Sequence, residues 1–187
     1  MPSLTVSQGR ERKMVRLLAA FILLGVTPVH AQQGVTYLTI DDLVTDWKIS
    51  KQYTLAVAER MPANLYDFKP NPSQMTFGEQ MVHIAGVNYY WLSRLTETKN
   101  PFTNPKKADK DSTLQMLGES FDYVIDMLPK ITQKQLDRLI TNVGWASRTE
   151  VNGRGILLNL LVHTAHHRAQ CEVYMRAKNI APPRYRF

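Results

Sequence analysis

Cysteine is almost absent from this sequence, and long apolar runs are few. Cys171 is the single cysteine among 187 residues. One cysteine cannot build an internal disulfide framework, so the fold must be held together by a hydrophobic core. The clearest apolar run, Leu17–Val26, has only ten residues, whereas a membrane-spanning helix needs about 20. We therefore expect one ordinary domain with its own core.

The sequence also lacks a basic run of the kind that binds nucleic acid. Its net charge is +7, but residues 1–31 hold four basic residues and one acidic one, so residues 32–187 carry only +4. The densest basic cluster that remains, residues 104–110, alternates with an acidic residue and is typical of a solvated loop. This charge pattern argues against nucleic acid as a partner.

The first 31 residues have the pattern of a secretory signal peptide. Four basic residues between Arg10 and Arg16 precede the run Leu17–Val26, and small residues follow near Ala31. We expect cleavage after Ala31, which leaves residues 32–187 as the mature domain, exported to the periplasm or secreted, with no stable membrane anchor. The alternative is an uncleaved N-terminal anchor. Met14 is a second candidate for the start.

Helical patterns separated by short proline-bearing breaks occupy the rest of the chain. Cap residues and apolar periodicity predict long helices at about 40–60, 76–96, 114–128 and 151–179. For the third helix, the caps expected are residues 111–113. Residues 132–136 are expected to form a short helical turn, and residues 143–147 a loop or short extended piece. The fold class expected is all-α, an antiparallel four-helix bundle, an architecture that often carries metal sites between facing helices.

Four histidines remain after residue 31, and three of them crowd one helix. His163 and His167 are four residues apart, so they project from one face and continue the apolar stripe that includes Leu160. Neutral imidazole is a common ligand of divalent metals, but hydrogen-bonded core histidines are favoured on spacing alone. His83, on the second helix, shares a face with Glu79 and lies off that helix's most apolar stripe. Periodicity therefore does not select His83 as a ligand.

Three segments give the chain a resemblance to the DinB-like (DinB/YfiT-like) metalloenzyme family. The segment Phe77-Gly-Glu-Gln-Met-Val-His-Ile-Ala85 is similar to the family's second-helix motif, which holds one ligand histidine. The segment His163-Thr-Ala-His-His-Arg-Ala-Gln170 is similar to its signature His-x-x-x-His-Arg-Gly-Gln, with alanine at position 169 in place of the usual glycine. Residues 174–183 are similar to the family's usual ending. The resemblance covers essentially the whole of residues 32–187.

This resemblance implies a divalent metal held by His83, His163 and His167, with zinc expected first and nickel or iron next. His166 matches a position that the family does not use as a ligand, so it is expected to be a surface or supporting side chain. Glu79 is the candidate catalytic residue, either as a base or as a group that orients His83; the alternative is an ordinary carboxylate in the first turn of a helix.

Other residues in or near the two motif segments are weaker candidates for a role in the site. Arg168 and Gln170 match the signature, with packing or hydrogen bonding as the alternative to substrate contact. Tyr90 could reach the site, although an aromatic at helical spacing is more often part of the core. Cys171 is expected to be a buried apolar substitute.

Three functions are compatible with this set of residues. The first is a metal-dependent enzyme, which the resemblance narrows to a thiol S-transferase or hydrolase type, with an unknown small-molecule substrate and a low-molecular-weight thiol as one option. The second is a non-catalytic metal-binding or stress-related module of the cell envelope. In the third, the histidines are structural and the bundle is a scaffold or a homodimer unit.

Overall fold

The computed structural model describes residues 39–143 and 149–185. The predicted signal peptide, residues 1–31, lies outside the described residues, as do residues 144–147 of the predicted loop. The elements of the described chain, in order, are α1 (Ile40–Arg60), α2 (Phe77–Thr96), α3 (Lys110–Met127), α4 (Gln133–Asp137), β1 (Leu139–Thr141), β2 (Glu150–Asn152) and α5 (Gly153–Ala177). Single turns of 3-10 helix cover Ala63–Leu65 and Leu128–Lys130.

Side chains of short polar residues begin the long helices. Thr39 and Thr76 form capping boxes with the residues three positions later, Asp42 and Glu79. The predicted start of the third helix was wrong by four residues: Asp109, not one of residues 111–113, is the cap, and it accepts the backbone N–H of Ser112 and starts the helix at Lys110. The other predicted long helices agree with the structure to within about two residues at each end.

The four long helices form the predicted bundle, with two helices running in each direction. Lys51 of α1 pairs with Asp122 of α3, and Lys110 at the start of α3 donates to the Glu59 carbonyl near the end of α1. These contacts make α1 and α3 antiparallel. At the start of α2, the Phe77 carbonyl lies against the Cys171 thiol near the end of α5, so α2 and α5 are antiparallel as well.

The remaining neighbours in the bundle are parallel, which the sequence pattern does not reveal. Asn88 in the middle of α2 donates to the Ser120 hydroxyl in α3, and residues near the starts of both helices also lie together. The segment 97–109 therefore returns along the bundle from the end of α2 to the start of α3. It packs closely on α2: a Cβ atom on Gly78 would lie 2.3 Å from the Ala108 carbonyl oxygen.

The bundle core is apolar and aromatic. This agrees with the expectation that a chain with one cysteine, and so no internal disulfide, is held together by its hydrophobic core. The Trp47 ring of α1 lies 5.5 Å from the Phe121 ring of α3, and both side chains are fully buried. Phe77, Leu92 and Tyr174 are buried as well. Each such side chain contributes about 2 kcal/mol or more by leaving water.

One end of the bundle carries a small hairpin that the sequence analysis did not predict. The strands β1 and β2 pair antiparallel, with Ile140 opposite Val151, and both of these side chains are buried. Each strand has only three residues, too short for its alternation to stand out. Val151 had been assigned to the start of the last helix, which instead begins at Gly153 after the cap residue Asn152. Among the described helices, none is both long and apolar enough to span a membrane.

Candidate metal centre

Three imidazole rings meet where α2 lies against α5. His83 belongs to α2, and His163 and His167 belong to α5. The Nε2 atoms of His83 and His163 are 3.1 Å apart, and the ring centroids are separated by 4.3 to 4.9 Å. One nitrogen of each ring lies within 4.8 Å of the others. The structure therefore brings together the three predicted ligands, and we call this set the histidine triad.

The position of α2 explains why periodicity did not select His83. Helix α2 packs on two sides: Asn88 contacts Ser120 of α3, whereas His83 contacts His163 of α5. A helix covered on two sides has no single apolar stripe, so its hydrophobic pattern marks only the more apolar side. His163 and His167, one turn apart on α5, face the second side of α2.

Burial keeps the triad imidazoles neutral at ordinary pH. Burial lowers the pKa of His83 below its usual value of 6.5. Burial, followed by the charges of His83 and His166, lowers the pKa of His163 to about 4. Burial, followed by the charges of His163, His83 and His166, lowers the pKa of His167 to about 3. Neutral rings keep the lone pairs that a metal ligand needs.

A hydrogen bond that His167 donates to Gln80 fixes the orientation of the His167 ring. The Oε1 atom of Gln80 lies 2.5 Å from Nδ1 of His167. The Gln80 amide nitrogen donates to Gln170 and to the Tyr174 hydroxyl, which itself donates to the Met75 carbonyl, so the amide orientation is set by this network. An amide oxygen only accepts, so Nδ1 of His167 carries the proton and Nε2 keeps the lone pair.

Gln80 was not among the predicted site residues, although its position in the sequence pointed to a role. It lies three residues before His83 inside the motif segment, on the apolar part of α2, and is only 3% exposed. A buried amide needs partners, and a glutamine at helical spacing from a candidate ligand is one that can supply them.

The donor set and its spacing fit a divalent metal ion. Zinc–nitrogen distances of about 2.0–2.1 Å place two ligands of a tetrahedral ion about 3.3 Å apart, close to the 3.1 Å between the Nε2 atoms of His83 and His163. Nδ1 of His163 is buried without a hydrogen-bond partner among the described residues. Three neutral imidazoles suit zinc, nickel or iron.

Cavities of different chemistry border the triad. All three rings line a cavity of about 350 Å³ whose other walls are mainly apolar. His83 also borders a larger polar cleft, of about 700 Å³, that includes Glu79 and Lys107. An ion at the triad would therefore be accessible to a substrate, as a catalytic site requires.

Glu79 forms a structural contact close to the triad. Its carboxylate accepts the backbone N–H of Thr76, and the Thr76 hydroxyl accepts the backbone N–H of Glu79. This is the first-turn role that the sequence left as the alternative. The same carboxylate borders the polar cleft beside His83, so a catalytic role stays a prediction.

Arg168 and Cys171 have structural surroundings. The guanidinium group of Arg168 donates to the hydroxyls of Ser50 and Thr54 and lies 4.6 Å from the centre of the Tyr53 ring, all on α1. Arg168 therefore ties α5 to α1, and packing explains its place in the signature. Cys171 is fully buried, and burial raises the pKa of its thiol, which agrees with an apolar substitute.

The other aromatic candidates near the triad lie at its edge. His166 is exposed, accepts a hydrogen bond from Gln170 and lies edge-on to His167, as expected of a supporting side chain. Gln170 therefore has a hydrogen-bonding role. Tyr90 is 43% exposed, so its assignment to the core was wrong; its hydroxyl accepts a hydrogen bond from Arg94.

A family profile described as the DinB superfamily matches residues 47–171, more than half of the chain and all three triad histidines. The chain belongs to the DinB superfamily. The chain is similar in sequence to the uncharacterized protein YjoA of Bacillus subtilis (strain 168). The two are 26% identical over 138 residues, which cover 73% of this chain and 88% of YjoA.

Solved structures of DinB-like proteins share the fold. The crystal structure of YjoA superposes with a TM-score of 0.61 at 25% identity, over 76% of this chain and 95% of that one. A DinB-like protein from Bacillus cereus ATCC 10987 superposes with a TM-score of 0.64 at 19% identity, over 80% of this chain and 99% of that one. These matches confirm the resemblance and the helical-bundle fold that the sequence predicted.

Proposed function

We propose that this DinB-superfamily protein is a metal-dependent enzyme whose divalent ion is held by His83, His163 and His167. Zinc is expected first, and nickel or iron next. The observation that carries the proposal is the convergence of three neutral imidazoles beside a cavity. Three protein ligands leave at least one coordination position open for a substrate, as catalytic sites do.

The proposed reaction is of the thiol S-transferase or hydrolase type. A divalent ion at the triad would polarise an oxygen or sulfur group of the substrate and favour its deprotonated form. The protein's own part is to hold the three rings, to keep His167 in the right tautomer through Gln80, and to exclude water with the apolar wall. The family resemblance supports a low-molecular-weight thiol as one substrate.

The cavity is also what favours an enzyme over the alternative of a non-catalytic metal-binding or stress-related envelope module. A module that only stores or senses a metal needs no space beside the ion, whereas a substrate does. Here about 350 Å³ is open next to all three rings.

Metal content of the purified chain tests this proposal first. About one equivalent of a divalent metal is expected in the wild type and a loss of most of it in His83→Ala. His166→Ala is the matched control, because it removes a neighbouring histidine that lies outside the triad, and it should keep its metal. A chain that binds no zinc, nickel or iron after supplementation would overturn the proposal.

We further propose Glu79 as a general base, because its carboxylate and His83 border the same polar cleft. Glu79→Gln keeps an oxygen that can accept the Thr76 N–H but cannot take up a proton at neutral pH. We expect turnover to fall about 100-fold or more while the melting temperature changes little. Turnover is measured on whichever thiol-transfer or hydrolysis substrate the wild type converts. Unchanged turnover would leave Glu79 only its capping role.

Export is proposed from the pattern of residues 1–31 alone. Expression of the full chain in a bacterium, followed by fractionation and N-terminal sequencing, tests it. We expect the protein outside the cytoplasm with Gln32 as its first residue. A chain that keeps residues 1–31 and stays in the cytoplasm would contradict export, without bearing on the metal site.

A further inference from the structure

The cavity beside the triad has walls of one chemical character. Val87 and Trp91 of α2 face Ile156 and Leu160 of α5 across it, and the triad rings form its remaining wall. Ile156, Leu160 and Trp91 are almost fully buried, so the walls belong to the bundle core. Among the described residues, no Asp, Glu, Lys or Arg side chain lines this cavity. These side chains therefore offer a bound molecule no ion pair, and the one charge expected at the cavity is that of an ion on the triad.

We propose that this cavity binds an uncharged, apolar group of the substrate and presents the adjoining reactive atom to the triad. The inference rests on the proposed metal-dependent function and adds the substrate class. Against the apolar walls, away from the triad, a charged group would lose its hydration with no opposite charge on a described side chain to replace it, whereas an apolar group is stabilised by leaving water.

The size of the cavity narrows the group further. An apolar cavity of about 150 Å³ is enough to bind benzene, and this cavity measures about 350 Å³. It therefore suits a group of about two fused aromatic rings or an equivalent branched alkyl group. Ligand pockets for small molecules begin at about 300 Å³, so the group that this cavity binds is at the small end of that range.

Trp91 makes an aromatic group the better fit. Its indole borders the cavity and is held by Tyr90, edge-on at 5.0 Å, and by the Arg94 guanidinium, 5.1 Å from the ring. A fixed aromatic side chain offers an aromatic ligand stacking or edge-to-face contacts in addition to burial. Asn159 and His166, the polar wall residues outside the triad, can bond to one polar atom on the ring.

His83 also lines the polar cleft, whose walls differ in chemistry from those of the cavity. Its walls include Asp67, Glu79 and Lys107, which are charged side chains. Charged parts of a substrate, or a polar second substrate, match that cleft, whereas the apolar part matches the cavity between α2 and α5. The apolar and polar ends of the reacting pair are therefore assigned to these two spaces, both of which His83 lines.

Binding of two matched probes to the metal-free chain tests this inference, because a bound ion would itself attract an anionic probe. The probes are 2-naphthol, which is uncharged at neutral pH, and naphthalene-2-sulfonate, which has the same rings with a negative charge. We expect 2-naphthol to bind at least tenfold more tightly in equilibrium dialysis. Val87→Phe, which fills the cavity, should weaken 2-naphthol binding at least tenfold, and Val173→Phe, on the exposed face of α5, should not.

The outcomes separate this inference from the proposed function. Equal affinity for the two probes, or equal affinity of the two phenylalanine variants for 2-naphthol, would overturn the inference even if the chain holds its metal. Binding of 2-naphthol by a chain that takes up no divalent metal would overturn the proposed function instead. If Val87→Phe fails to fold, as judged by circular dichroism, Val87→Leu replaces it and should show a smaller loss in the same direction.

Discussion

Gln80 controls the chemistry of the triad without being a ligand. Its amide oxygen requires the proton of His167 to sit on Nδ1, and its amide nitrogen is held by Gln170 and Tyr174. The metal affinity of the triad should therefore depend on a residue that never contacts the ion.

Gln80→Leu is expected to weaken metal binding about 10- to 100-fold, because the ring of His167 loses its tautomer and its orientation. Competition with a zinc chelator measures this change. Gln115→Leu is the matched control, since Gln115 is an exposed glutamine of α3 whose described partner is Glu119. Equal affinity in both variants would show that Gln80 supports packing only.

The lowered pKa values of His163, about 4, and His167, about 3, give the metal-free protein a pH dependence. An unfolded chain takes up protons on these rings below about pH 6.5, but the folded chain does not, so stability falls as the pH drops from about 6.5 to about 4. The loss is at most about 1.4 kcal/mol per pH unit for each ring, and less because both rings are partly solvated.

Urea unfolding of the metal-free chain between pH 7 and pH 4.5 measures this dependence. The double variant His163→Gln, His167→Gln is the control, because it keeps every carboxylate and removes the two rings. The wild type should lose more stability than the variant over this range. Parallel pH profiles would mean that the rings titrate normally.

At the scale of single residues, the sequence identified the ligands but not their supports. His163 and His167 followed from helical spacing, and His83 needed the family motif, because α2 is covered on two sides. Gln80 was not predicted, because a hydrogen bond between two helices produces no periodic pattern in the sequence. The apolar cavity could not be foreseen either, since it depends on how α2 and α5 are spaced.

At the scale of elements, Gly78 lets the segment 97–109 dock against the start of α2. A Cβ atom there would lie 2.3 Å from a backbone oxygen of Ala108, which cannot move aside as a side chain could. Gly118 of α3 has open space where its Cβ would be. The two glycines therefore make a matched pair with opposite expectations.

Gly78→Ala should destabilise the fold by about 1–3 kcal/mol through overpacking, despite the better helix propensity of alanine. Gly118→Ala should stabilise it by about 1 kcal/mol, because alanine replaces glycine inside an open helix surface. Chemical denaturation of the two variants measures both changes. A neutral or stabilising effect of Gly78→Ala would show that the segment 97–109 does not rest on α2.

Helices were easier to predict than their arrangement. Apart from the start of α3, which was predicted four residues too late, polar caps and prolines placed the ends of the long helices within about two residues, since these signals act locally. The hairpin of β1 and β2 was missed because three-residue strands carry too little alternation to detect. Which neighbours run parallel depends on contacts between distant segments, such as Asn88 with Ser120, and no local pattern encodes them.

At the scale of the whole molecule, a metal at the triad would connect α2 to α5, which are far apart in the sequence. An ion that binds only the folded chain stabilises it, by about 2.7 kcal/mol when its free concentration is 100 times the dissociation constant. We expect added zinc to raise the melting temperature of the wild type and to leave His163→Ala unchanged. A rise of equal size in both would place the zinc elsewhere.

The returning segment 97–109 sets a limit on insertions and deletions in this protein. It has thirteen residues and must cover the length of α2, which at 20 residues is about 30 Å long. Fully extended, thirteen residues reach about 43 Å, so about four could be deleted before α2 or α3 had to unwind. Homologous chains should therefore tolerate longer segments here far more readily than shorter ones.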